Sequence, residues 1–199
     1  MSTKISQNTV DLQALLQVAN SLPDAGSGGG GGTDQSASIL DKSATELSNS
    51  QVKLLGTYVL RECDKLVSVD FPAVEELESY VFYNCTALKN VSLPAAQKLA
   101  SYSFRGCTAL EVLDFPTLTS IATNAFYGCS KLKTLILRSS TMCSLSGTNA
   151  FANTPMASGG TATGCKIYSP SALIATYQAN ANWSALNCDF VAIEGSPYA

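Results

Sequence analysis

Histidine is absent from the 199 residues. With it go the commonest general base and the commonest metal ligand at neutral pH. Charge is sparse, with 12 Lys and Arg against 15 Asp and Glu, and no basic run of five or more occurs. A weakly acidic chain without cationic clusters is a poor candidate for nucleic acid or an anionic membrane surface. No run of eighteen apolar residues occurs, so no segment reads as a membrane-inserted helix. G-x-S-x-G, P-loop and H-E-x-x-H motifs are also missing. Glu75, Glu76 and Glu78 share a turn but have no nucleophile–base pair beside them, and read as solvated carboxylates. The chain is therefore expected to be non-enzymatic, with no catalytic residue, cofactor or metal.

What is present is a period. Cys63, Cys85, Cys107 and Cys129 stand 22 residues apart. Three residues before each lies Leu60, Phe82, Phe104 or Phe126, and three after each lies Leu66, Leu88, Leu110 or Leu132. Self-similarity at such a period signals a solenoid and outranks local secondary-structure cues. Each unit holds an alternating segment: Leu66-x-x-Val69-x-Phe71, Leu88-x-x-Val91-x-Leu93, Leu110-x-x-Leu113-x-Phe115 and Leu132-x-x-Leu135-x-Leu137. Alternation predicts a half-buried strand. Pro72, Pro94 and Pro116 follow directly and cannot donate to a ladder, so each strand should stop there. A second inward position is expected at Leu77, Leu99 and Ile121, then an aromatic anchor at Phe82, Phe104, Phe126 and, after a three-residue insertion, Phe151. Asn84, Gly106 and Gly128 stand where a left-handed turn is expected, and Glu62 departs from that rule. No single coil can bury its apolar side. Stacked at ~4.8 Å, about five coils share one core, with a parallel sheet on one face and short turns or 3-10 segments on the other.

The flanks differ in composition. Residues 1–24 read as a short amphipathic helix through Val10, Leu12, Leu15, Leu16, Ala19 and Leu22, ended by Pro23 and Gly26. A helix this short is marginal alone. It is expected to dock on a partner, to self-associate through residues 8–22, or to fray. Residues 25–38, with five consecutive glycines, read as a flexible tether. Residues 39–62 read as a degenerate capping coil, 63–155 as the repeats, and 156–199 as a capping strand and helix. In the last segment one helix is expected over SALIATYQANANWSALN, capped by Ser169 or Ser171. The N-terminus does not read as a secretory signal, so folding in a cytoplasm is expected. The seven cysteines are then expected to be reduced, and an odd number argues against a closed disulfide framework. Zinc ligands cluster at short spacings, whereas the ladder cysteines are a whole coil apart, so they read as small apolar core residues.

These repeats resemble the BspA-like (Treponema-type) leucine-rich repeat, whose unit ends in a motif like Asn124-Ala125-Phe126-Tyr127-Gly128-Cys129. The resemblance covers about residues 41–155 and departs at Val81 and Ser103, where Ala is usual, and at Arg138, where Pro is usual. It implies a leucine-rich repeat β-solenoid and a surface-exposed binding module, often a bacterial adhesin. The helix, the tether and IYSPSALIATYQANANWSAL resemble prophage-encoded leucine-rich repeat structural proteins of Gram-positive gut bacteria. That second resemblance implies a virion part (tail, baseplate or fibre) docked through the N-terminal helix. Its partner would be a protein or glycan on a bacterial surface. The alternative is a cell-surface adhesin or interaction module released by a non-classical route.

The varied outward positions of the strands are the candidate recognition surface: Ser68, Asp70, Lys89, Asn90, Ser92, Glu111, Asp114, Lys133 and Thr134, with Val67, Val112 and Ile136 among them. The same pattern suits a merely solvated face. Tyr58, Tyr80 and Tyr102 share one repeat position, with Asn124 in the fourth unit. Such a stripe either stacks sugars or anchors a partner, or it packs each ring on the next coil.

Overall fold

Alternating side chains and a fixed period decide which way each part of a coil faces. The computed structural model describes residue 42 and residues 44–199. The expected helix 1–24, the tether 25–38 and the contact through residues 8–22 lie outside the described residues.

The predicted strands form: β1 (Glu46–Ser48), β3 (Ser68–Asp70), β5 (Asn90–Ser92), β7 (Val112–Phe115), β9 (Thr134–Leu137) and β11 (Lys166–Ser169). All pair in parallel at the same phase of the repeat, as in Leu47↔Val69↔Val91 and Leu113↔Leu135↔Ile167. A further strand, β12 (Asp189–Ala192), adds to β11 at the C-terminal edge. The second inward position also lies on strands: β2 (Leu54–Leu55), β4 (Glu76–Leu77), β6 (Lys98–Leu99), β8 (Ser120–Ile121) and β10 (Ser144–Leu145). They make a further parallel sheet, additional to the expected turns on that side of each coil. Two residues are too few for alternation to show in a sequence.

Between the sheets and the next coil runs a turn side with two left-handed residues per unit. Tyr58, Tyr80, Tyr102 and Asn124 have φ of 64°, 62°, 63° and 59°. Glu62, Asn84, Gly106 and Gly128 have φ of 59°, 57°, 76° and 74°, so Glu62 follows the rule it was expected to break. Coil still bonds to coil here: the N–H groups of Leu60, Phe82 and Phe104 donate to the carbonyls of Val81, Ser103 and Ala125 at 3.2, 2.7 and 2.8 Å. Inside, Phe82, Phe104, Phe126 and Phe151 stack in a column at 5.0, 5.7 and 5.2 Å, which Trp183 ends at 6.2 Å.

The ladder cysteines are buried beside this column. They also bond. The thiols of Cys85, Cys107 and Cys129 donate to the carbonyls of Leu60, Phe82 and Phe104 at 3.0, 3.0 and 3.1 Å. Phe82 O already accepts the Cys85 N–H, so the thiol takes its second lone pair. Burial pushes the Cys107 thiol well up and the Cys129 thiol up to about 12.

The C-terminal helix is broken. A 3-10 turn (Ser171–Leu173) leads into α1 (Ile174–Ala179), and α2 (Ala181–Ser184) follows. Asn180 is extended (φ −81°, ψ 124°), and its side-chain oxygen accepts the N–H groups of Asn182 and Trp183. Asn is thus both the break and the N-cap. Neither Ser169 nor Ser171 caps: Ser169 ends β11, and the Ser171 N–H goes to the Glu194 carboxylate at 3.1 Å. The cap grips the coil carrying the insertion. Cys143 N–H donates to Tyr177 Oη at 2.9 Å, and Trp183 Nε1 and Asn182 Nδ2 donate to the carbonyls of Cys143 and Leu145, both at 2.8 Å. Ile136, expected on the open face, is 1% exposed. Tyr168, Val191, Ile193 and Tyr198 cover it, because the chain beyond β12 folds back over this end of the sheet.

Candidate functional site

Seven of the nine sheet-face candidates meet in one groove of about 650 Å³: Ser68, Asp70, Lys89, Asn90, Ser92, Glu111 and Asp114. Period-two alternation turns Ser68, Asp70, Asn90, Ser92 and Asp114 outward on β3, β5 and β7, and Lys89 and Glu111 are exposed just ahead of β5 and β7. Lys133 and Thr134 stand a coil further on, outside the groove, with Thr134 in register between Val112 and Lys166. Val69, Val91, Ala109 and Val112 complete the lining. The alternation identified Val69 and Val91 as inward and Val112 as outward, but nothing in it marked Ala109 or the reason a groove forms here.

That reason is a break in the sheet. The N–H groups of Lys89 and Asn90 both donate to Val67 O (2.9 and 3.1 Å), and those of Lys133 and Thr134 both donate to Glu111 O (both 3.1 Å). The equivalent bonds from Glu111 and Val112 to Lys89 O are not made, and β5 and β7 belong to separate sheets. The same two coils remain paired through β6 and β8. They therefore part on one face only. Val91 is half-buried as a result, while its repeat counterparts Val69 and Leu113 are 1% exposed. The groove thus offers peptide donors and acceptors, an apolar floor, hydroxyls, an amide and charges of both signs.

Its charges are unequally free. Arg138 forks onto Asp114 through Nε and a terminal nitrogen at 2.9 and 2.8 Å. This accounts for Arg where the repeat pattern has Pro: the guanidinium reaches one coil back. The bonds to Asp114 push the Arg138 guanidinium further up from its ordinary value. Asp70, Lys89 and Glu111 make no ion pair among the described residues.

The tyrosine stripe is arranged differently. Tyr80 stacks on Tyr58 at 4.9 Å and on Tyr102 at 4.7 Å. Arg61 and Arg105 interleave with Tyr58, Tyr83, Tyr102 and Tyr127 at 4.8–5.6 Å from the ring centres. Both faces of Tyr80 are thus taken, leaving ring edges, hydroxyls and part of Tyr58, 38% exposed. Stacking of this kind is worth ~0.5–1.5 kcal/mol per pair and offsets the cost of a left-handed tyrosine. Two carboxylates outside the groove are likewise occupied. Glu76 pairs with Lys98 at 2.7 Å, and Glu78 accepts the N–H and hydroxyl of Thr57.

Among the described residues no group of three or more His, Cys, Asp or Glu could hold a metal ion, and no helix is long and apolar enough to cross a membrane. Six copies of the BspA type leucine-rich repeat region match residues 43–166. A leucine rich cell surface protein from Faecalibacterium prausnitzii A2-165 has a similar structure, with 24% identity and a TM-score of 0.52. The alignment covers 73% of this chain and 35% of that one, so the chain spans about a third of that protein and the likeness is one of fold. A search of curated proteins gives no match. From the repeat match over residues 43–166, the chain belongs to the BspA-type leucine-rich repeat family.

Proposed function

We propose that this chain is a non-enzymatic binding module of a bacterial surface, and that the groove between β5 and β7 is where its ligand sits. The observation that carries this reading is the one-sided parting of the coils. It gathers variable polar side chains over unpaired backbone and a half-buried valine. A ligand rich in both donors and acceptors suits that lining: a polypeptide segment or a glycan. The likeness to a cell-surface protein supports exposure at an envelope. The virion reading rests on residues 1–38 and on the C-terminal segment, and the family match does not bear on it.

The test is binding of the full chain to intact bacteria and to glycan and peptide arrays. D70K and E111K variants should lose at least tenfold in affinity, because charge reversal in a groove removes complementarity and adds repulsion. T119K, on another face, should bind as wild type. Equal binding by all three would sink the reading, and loss confined to a Y58A variant would move the site to the tyrosine stripe. Antibody labelling of particles from induced lysogens separates the virion reading from the envelope one.

A further inference from the structure

Cys165 and Cys188 lie side by side at the C-terminal end. The register Lys166↔Asp189 makes them neighbours across parallel strands, and Asp189 N–H donates to Cys165 O at 2.9 Å. Ile167 and Phe190, two residues on, face the core, so both thiols point to the same side. Strand spacing sets their Cα atoms ~5 Å apart, within the ~4.4–6.8 Å that a disulfide bridges. Each thiol is also near enough to the other to influence its ionisation. Cys63 and Cys85 also influence each other's ionisation, but both are buried, and the Cys85 thiol is committed to Leu60 O. Cys188 is the one cysteine of the seven that is not fully buried.

We infer that Cys165 and Cys188 are a redox site, oxidised by small-molecule disulfides to an intramolecular bridge that closes the C-terminal cap. The Cys188 thiolate attacks oxidised glutathione, forms a mixed disulfide and expels one glutathione thiolate. The Cys165 thiolate then attacks the Cys188 sulfur and expels the second. Two thiols give up two protons and two electrons, and one oxidised glutathione becomes two reduced ones. Burial pushes both thiols up, so the reaction is slow at neutral pH and quickens as pH rises. The bridge closes residues 165–188, which carry the 3-10 turn, α1 and α2 with Tyr177 and Trp183. It would lock the cap in an oxidising exterior and leave it free in a reducing cytoplasm.

The experiment incubates the purified full chain with oxidised glutathione at mildly alkaline pH. Thiols titrated in denaturant should fall from seven to five, the intact mass should drop by two hydrogens, and a non-reducing peptide map should join Cys165 to Cys188. The thermal midpoint should rise by roughly 5–10 °C, the scale of closing a loop of this length. The C188A variant should show no such shift, and C63S should show it in full. Persistence of all seven thiols, a stable glutathione adduct at Cys188, or a link between Cys63 and Cys85 would each overturn the inference.

Discussion

Replacing Ser103 by alanine should stabilise the protein. Its hydroxyl is the single fully enclosed side-chain oxygen or nitrogen without a partner among the described residues. Val81, Ala125 and Ala150 fill the same place in other coils, each with no exposed surface. The Ser103 backbone is satisfied without the side chain: its N–H goes to Ala100 O at 3.4 Å and its carbonyl accepts the Phe82 N–H at 2.7 Å. Enclosing an unsatisfied hydroxyl costs about 1–3 kcal/mol. Removing one oxygen leaves a void of ~10–15 Å³, which at ~24 cal/mol per Å³ returns only about 0.3 kcal/mol. The net gain is roughly 1–2 kcal/mol, or about 2–8 °C in a domain of this size. Urea unfolding of S103A should therefore show a higher midpoint at unchanged slope. A lower midpoint at unchanged slope would mean that the hydroxyl has a partner in solution, and would refute the reasoning.

Three further outcomes are expected. C107S should be more stable than C107A, because the serine can still donate to Phe82 O; the reverse order in urea melts would reduce the ladder thiols to apolar filler. G106A and G128A should each cost about 1 kcal/mol for a left-handed alanine, and G106A more, because its Cβ would run into the Asn84 side chain. Stability should hold near neutrality and fall from about pH 9. Burial holds Tyr177, Cys129 and Cys143 up to about 12, from ordinary values of 10.0, 9.0 and 9.0. The unfolded chain then releases these protons first, so the fold loses stability as pH rises between the two values. A flat melting profile to pH 11, measured under reducing conditions, would count against this.

The solenoid was legible because its determinants are single side chains at a fixed period. Leu66, Phe71, Phe82 and Cys85 each sit in the core where their phase predicts. Features that depend on relations between segments were not. The second sheet rests on two-residue strands with no alternation to read. Asn180 looks like any polar residue in a helix until its side chain is seen bonding two backbone N–H groups ahead. Ile136 obeys the outward phase and is buried anyway, by a tail whose return path no periodicity encodes. The groove's side chains were legible as outward-facing. Its existence was not, because it depends on bonds that β5 and β7 fail to make.

The three-residue insertion before Phe151 has a consequence for how such a chain can change length. A coil of standard size offers its successor the same three surfaces it received. The coil with the insertion instead turns its Cys143 N–H out of the ladder to Tyr177, while Trp183 takes the Cys143 carbonyl that a successor would otherwise use. The irregular unit thus acts as a terminator, and it can be copied as a block with its cap. Units upstream of it are free to be duplicated or lost in whole multiples of 22 residues without redesigning the end. Each such event would shift the groove relative to the cap and change the variable residues around it. A lineage could in this way alter what it recognises while leaving its closure untouched.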